Sequence, residues 1–249
     1  MATEPSAVTI VLDDAHAPDR VEDGARTLAS AIFARLRADI LNCHYQPGEK
    51  LLIAPLSRRF NVSLASVREP LSRLVADGLV VAEDQRGFRV SPVSLTDLED
   101  LMQTRIEIEC LALRRAIRCG GEDWEARLER AWHDLESVPH TPPGDPGRQN
   151  EDWSRLHGRF HAALVDGCEL GSLLRFRATL YEQSERYRRL CRAITHGRRD
   201  TDGEHKSILE ATLDRDADSA ASQLASHIER TARAVAEVYR QRDFPEVAP

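Results

Sequence analysis

LSRRFNVSLASVREPLSRLVADGLVVAEDQRGFRV, running from Leu56 to Val90, is the stretch whose reading decides the fold of the first part of this chain. Leu56 and Phe60 recur at helical spacing. Asn61-Val62-Ser63 then interrupts with turn chemistry, and Ser63 can cap a new helix by accepting a bond from an exposed backbone N–H. In that helix Val67, Leu71 and Leu74 face inward while Ser66, Arg68, Ser72 and Arg73 stay outside, until Asp77-Gly78 supplies a stop. Two starts are open. With Ser63 as cap, Pro70 falls in the helix interior, where it loses a backbone bond; with Ser66 as cap it lies near the end of the first turn and does less damage. Leu79-Val80-Val81-Ala82, a polar turn from Glu83 to Gly87, and Phe88-Arg89-Val90 fit a β-hairpin. Two short helices across a tight turn, followed by such a wing, form a geometry for reading duplex DNA. The candidate contacts are Ser63, Leu64, Ser66, Arg68 and Arg73 on the second helix. Arg86 and Gly87 join them at the wing tip, where a phosphate or a minor groove is within reach.

Upstream, Ala29 to Asn42 sets Ile32, Leu36 and Ile40 on one face and forms the first helix of this unit. A chain of 249 residues, 41% hydrophobic, is long enough for two domains with separate cores. The net charge of −7 disfavours DNA as a global figure, yet from Ala29 to Pro92 basic residues exceed acidic ones by three, which permits a locally positive face. Cys43, Cys110, Cys119, Cys168 and Cys191 show no C-x-x-C spacing, which argues against a disulfide framework or a cysteine zinc site. No apolar run approaches the roughly 18 residues of a membrane span, and the first residues lack the apolar core of a signal peptide, so a cytoplasmic protein without membrane partners is expected. Residues 1–26 carry too little periodic apolar content to fold and are expected to be a disordered acidic tail.

Beyond a linker at Ser91-Pro92-Val93-Ser94 the pattern is nearly all helical. A long helix opens at Leu95-Thr96-Asp97 and ends at Cys119-Gly120, and a second covers Trp124 to Leu135. The Pro- and Gly-rich run from Pro139 to Gly147 must be a loop, and four more helices follow near 152–166, 170–193, 201–213 and 217–240. The expected fold is therefore mainly α. A winged helix-turn-helix occupies 27–92, and an all-helical antiparallel bundle at 93–243 serves metal or effector binding and dimerisation. Trp124, Trp132 and Trp153 each fall inside an amphipathic pattern and read as packing anchors.

His157 and His161, four residues apart, project from one helix face and can hold one metal ion. His205 and His227 lie on two further helices at comparable distances from the turn at Leu213–Asp216, so antiparallel packing would bring them to one point. The alternative is a set of half-exposed helix histidines. Position 158 is Gly, where a zinc protease of the H-E-x-x-H kind needs a Glu base. No phosphate loop, nucleophile elbow or dinucleotide fingerprint is present either, so a non-enzyme is expected and a metal-dependent hydrolase is the remote alternative.

Several of these motifs resemble a known family. Asn61-Val62-Ser63, Val67 through Leu74, Asp77-Gly78-Leu79-Val80, the wing Arg86 to Val90 and the upstream Tyr45 to Leu51 look like the GntR-type bacterial winged-helix regulators. Phe160-His161-Ala162-Ala163-Leu164, Glu204 through Leu209 and His227-Ile228-Glu229 resemble the FCD ligand-sensing domain of that family's FadR subgroup. The resemblance implies a homodimeric transcription regulator on a palindromic DNA operator, and it implies His161, His205 and His227 as metal ligands. His157 stands where metal-binding members have Asp and carries over by position alone. Leu64-Ala65-Ser66 replace the family's usual Arg-Thr-Pro, which removes a bidentate guanine reader, and Pro70 replaces Ala.

Four neutral histidines around a divalent ion leave the site at about +2, against +1 with one carboxylate. Imidazole favours zinc, with nickel, iron or copper as alternatives, over magnesium or calcium. Such a site attracts anions, and the resemblance implies a small carboxylate metabolite as effector. Arg105, which matches the family's Arg on the first helix of the domain, can clamp that carboxylate or pair with Glu109 at i+4, and the two are not exclusive. The ion itself as effector is the competing expectation. Arg186, Arg188 and Arg189 read as a solvated face, with one of them able to line the effector pocket.

Overall fold

A computed structural model describes residues 28–83, 87–142, 144, 150–191 and 199–241. The expected tail at 1–26, Arg86 and the Asp145–Gly147 part of the expected loop lie outside the described residues. The chain divides between Pro92 and Val93 into two compact units.

The first unit comprises α1 (Leu28–Leu41), β1 (Lys50–Leu51), α2 (Ile53–Phe60), α3 (Leu64–Ala76), β2 (Val80–Glu83) and β3 (Gly87–Val90). Its core joins Ile32, Leu36 and Ile40 of α1 to Leu56 and Phe60 of α2, Val67, Leu71 and Leu74 of α3, and Leu51, Val80 and Val90 of the sheet. Asn61 turns α2 into α3 by adopting the left-handed conformation at φ 52°, which Asn tolerates better than most residues. Ser63 then caps α3 through its side chain, which accepts the Ser66 N–H. The start at Ser63 is thus the one adopted, and Pro70 lies inside the helix. Its ring is buried, and the Ser66 carbonyl loses the N–H that it would otherwise receive from position 70.

The wing has one strand more than the hairpin read from sequence. The strand order is β1-β3-β2, both pairs antiparallel, with Lys50 opposite Arg89 and Val80 opposite Val90. Gly48, at φ 76°, donates its N–H to the Val90 carbonyl and so begins the pairing that a two-residue strand then completes. Between the helices, buried Asp39 of α1 pairs with Arg59 of α2 at 2.7 Å.

The second unit holds six helices among its described residues: α4 (Leu95–Cys119), α5 (Glu122–Glu136), α6 (Glu151–Asp166), α7 (Gly171–Leu190), α8 (Thr201–Leu213) and α9 (Ala217–Gln241). α4 is the spine, packing on α6, α7 and α9, while α5 lies on α6 and α8 on α9. Ser94, Asn150 and Asp200 cap α4, α6 and α8 with side-chain oxygens. The Arg186–Arg189 run is not a solvated face. Arg186 is 5% exposed and the Arg188 side chain 16%, because α7 is covered on several sides and its arginines find buried partners.

Trp124 of α5 fixes one end of this bundle. Its indole N–H donates to the Ala163 carbonyl at 2.8 Å, and Gly120 and Gly167 leave room for the ring. A Cβ on Gly120 would stand 2.3 Å from the indole. Gly120→Ala should therefore push the ring off its place and cost about 1–3 kcal/mol, the usual penalty of overpacking. A denaturant midpoint equal to that of the unsubstituted protein would show that the space is not tight.

Candidate functional site

α6, α8 and α9 bring His157, His161, His205 and His227 together at the centre of the second unit. One ring nitrogen from each lies within 4.8 Å of the others, and all four residues are buried. The i, i+4 spacing on α6 does what its periodicity implies, placing the His157 and His161 rings 4.5 Å apart. The antiparallel pairing of α8 with α9 places His205 and His227 at 4.6 Å. The half-exposed alternative is excluded by this burial.

The four rings differ in what satisfies them. His227 Nδ1 meets the Glu204 carboxylate at 2.9 Å and Arg199 Nη2 at 3.2 Å. The carboxylate is nearer and can only accept, and Arg199 Nη2 has the His227 carbonyl at 2.8 Å as its acceptor, so Nδ1 carries the proton and Nε2 keeps a lone pair. His161 Nδ1 and both ring nitrogens of His205 are buried with no hydrogen-bond partner. His157 Nδ1 meets the Tyr181 hydroxyl at 3.0 Å and Arg188 Nη1 at 3.2 Å, while its Nε2 lies 3.1 Å from His161 Nε2. A guanidinium can only donate, so Arg188 favours a lone pair on His157 Nδ1 and a proton on Nε2, which is then donated to His161. Three rings could thus serve as ligands as they stand, whereas His157 would first have to shift its proton to Nδ1 with Tyr181 as acceptor.

Burial holds all four imidazoles neutral. The pKa values of His157, His161 and His205 fall well below 6.5, chiefly from loss of solvent and then from neighbouring rings and arginines. His227 falls to about 4, because burial outweighs the opposing pull of Glu204. Burial works to raise the Glu204 carboxyl, but hydrogen bonds from His227 and Arg199 overcome it and bring it to about 2. Neutral imidazole is the form that ligates a metal, and nitrogen donors without a carboxylate suit a transition metal. The donor set and its unpartnered nitrogens therefore fit such an ion.

Arginines surround the rings. Arg105, 3% exposed, donates Nε to Glu109 at 3.1 Å and Nη1 to Ser184 at 3.0 Å. Arg177 donates to the other Glu109 oxygen at 2.9 Å, and both guanidiniums lie within 5 Å of the Tyr181 ring centre. The i+4 pairing expected for Arg105 is present, and Arg177 Nη2 is buried without a partner. Tyr181, Arg177, Arg199 and Glu204 are residues that the sequence reading does not single out for this site, and Arg188 enters it only as one of three arginines able to line an effector pocket. Glu204 alone carried a signal, being adjacent to His205. Trp153, read as packing, stacks on His157 at 4.6 Å and on His140 at 4.1 Å.

In the first unit the exposed face of α3 carries Leu64, Ala65, Arg68, Glu69 and Ser72. Ser66 is turned back to Ser63, their hydroxyls 2.8 Å apart. Arg73 lies over the Phe33 ring at 4.1 Å and donates to Ser30, so α1 engages it. Gly87 opens β3 at φ 97°.

Comparison with known proteins bears on the family and the fold. Residues 28–90 match the model for bacterial regulatory proteins of the gntR family, and residues 100–230 match the FCD domain. The HTH-type transcriptional regulator BphR of Paraburkholderia xenovorans is 41% identical over 204 residues, covering 82% of this chain and 83% of that protein. The HTH-type transcriptional repressor GlaR of Escherichia coli is 31% identical over 197 residues, covering 78% and 89%. Among solved structures, E. coli McbR/YncC superposes with a TM-score of 0.69 at 19% identity, covering 87% of this chain and 99% of that one, a likeness of fold alone. The chain belongs to the GntR family of regulators and carries an FCD domain; it is a DNA-binding transcription regulator. No helix of the described residues is long and apolar enough to cross a membrane.

The depressed histidines set an acid limit on the metal-free chain. Unfolded rings take up protons as pH falls through about 6.5, while the folded rings refuse them, so stability is fullest above that value and declines below it. Each ring contributes a slope of up to about 1.4 kcal/mol per pH unit. Denaturation midpoints of the metal-free protein should fall steeply between pH 6.5 and 5; a flat profile there would mean the rings are already charged or solvated in the fold.

Proposed function

We propose that this regulator binds a palindromic operator as a homodimer. A small carboxylate-type metabolite, bound at or near a divalent transition metal among His157, His161, His205 and His227, sets its operator affinity. The observation that carries the reading is His205, whose two ring nitrogens are buried in the middle of four imidazoles with no hydrogen-bond partner. Leaving such groups unpaired costs about 1–3 kcal/mol each, and an ion among the four would satisfy the one His205 nitrogen that turns to it. His161, His205 and His227 are the primary ligands, with Glu204 orienting His227; His157 is the fourth, joining once its proton has moved to Nδ1. A bound ion supplies a positive open position for an anion. With four neutral ligands that position keeps about +2, and Arg105 and Arg177 add positive charge that Glu109 cancels only in part. Effector binding then shifts the population between two states of different operator affinity, by as much as its own affinity for the two differs.

A plain metal sensor is the second reading, favoured by the same unpartnered nitrogens and requiring no organic ligand. Operator binding titrated with metal, with and without a panel of organic acids, separates the two. Zinc is the first choice of ion, with nickel, iron or copper as alternatives.

His161→Ala combined with His205→Ala should abolish bound metal by elemental analysis. Nickel or copper should also cease to quench the fluorescence of Trp153, which stacks 4.6 Å from His157. Full occupancy in that variant would refute the site. His157→Ala should weaken binding without abolishing it, and an undiminished titration would leave a three-histidine centre. At the other end, Arg68→Ala should weaken operator binding by about 1–3 kcal/mol in a gel-shift titration. Unchanged affinity would remove Arg68 from the interface.

A further inference from the structure

The first turn of α3 presents carbon to its surroundings rather than hydrogen-bond donors. Leu64 is 55% exposed, Ala65 is exposed beside it, and the two hydroxyls of this turn are engaged with each other. Lying in the first turn of α3, Leu64 stays in the open on the same side of the helix as Arg68, one turn further on. An exposed leucine here contributes nothing to the core. The first residues of a recognition helix are the ones that reach base edges in the major groove. A leucine side chain brought there can neither donate nor accept, and against guanine or cytosine it would cover polar groups without pairing them. Thymine alone offers an apolar group in that groove, its C5 methyl.

We propose that Leu64, with Ala65 completing the apolar surface, reads a thymine methyl in each operator half-site, while Arg68 engages a neighbouring base or phosphate. The inference rests on α3 being the reading helix. It assigns the operator an A·T pair at the position where an arginine-bearing helix would select guanine.

The test begins by selecting duplexes from a random pool with the full-length protein. In a selected duplex each thymine is then replaced singly by deoxyuridine, which removes the methyl and leaves every hydrogen-bonding group in place. Fluorescence anisotropy should show one thymine per half-site whose replacement weakens binding about fourfold, the worth of one buried methyl group. The loss should shrink toward none in Leu64→Ala, and Leu64→Arg should select guanine at that position. Because Leu64 is exposed, unchanged thermal melting should accompany both variants. A selected duplex indifferent to every replacement, or a loss that persists undiminished in Leu64→Ala, overturns the assignment while leaving DNA binding intact. A pool from which nothing is enriched would instead defeat the reading-helix premise, and the assignment with it.

Discussion

Four imidazoles share one buried space in the second unit, and much of what surrounds them follows from keeping that space electrically tolerable. Neutral rings cost little to bury if their nitrogens are met, and much if they are not. The fold meets some of them with protein: Glu204 for His227, Tyr181 for His157. It leaves His205 to whatever enters the cluster. The next layer is charged, with Arg105, Arg177, Arg188 and Arg199 compensated by Glu109, Glu185 and Glu204. Breaking one such buried pair would leave an uncompensated charge and cost more than the pair itself contributes. These residues are therefore tied to one another through the rings they enclose, and a change at any of them is felt at the cluster.

The asymmetry between His157 and the other three rings follows from the guanidinium beside it. In the metal-binding reading proposed above, a carboxylate at position 157 would ligate at neutral pH without rearrangement and would cancel one charge of an ion. His157 would instead have to change tautomer, against the preference that Arg188 imposes through its donor-only guanidinium. In that reading, ligation by His157 and the position of Arg188 are coupled: the ring would bind best when the guanidinium has another acceptor. Glu185 already supplies one beside it. An anion bound near the centre would supply another.

The helices are legible in the sequence because their signals are local. Ser94 and Asp200 cap, Gly120 stops, and apolar residues recur with helical period, so α4 through α9 lie within a few residues of their expected bounds. The His157–His161 face is legible for the same reason. What is not legible depends on partners distant in the chain. Strand β1 is only two residues long and exists because β3 offers it an edge, which no pattern within Lys50-Leu51 announces. The arginines at 186 and 188 have the composition of a solvated face, and only the packing of α7 reveals them as buried. His140 gave no sign of stacking on Trp153, since a loop residue meets its neighbour through the path of the chain rather than through periodicity. Pro70 shows the opposite failure: the local rule disfavours it in a helix interior, and the burial of its ring overrides that rule.

The start of the second unit bears on how a change at the cluster can be transmitted. Val93 and Ser94, the first residues after the linker proline, are fastened to the bundle by two tyrosines. Tyr239 of α9 donates its hydroxyl to the Val93 carbonyl at 2.9 Å, and Tyr187 of α7 bonds the Ser94 backbone and the Asp97 carboxylate. Tyr187 immediately precedes Arg188, whose guanidinium touches His157, and α9 also carries His227. Both anchors thus sit on helices that contribute to the histidine cluster. In the proposed function, a rearrangement that drew Arg188 or His227 inward would act on the same two helices that hold the start of the second unit. α4 packs against both α7 and α9, so in that reading a change at the cluster would reach the two anchors together rather than either alone.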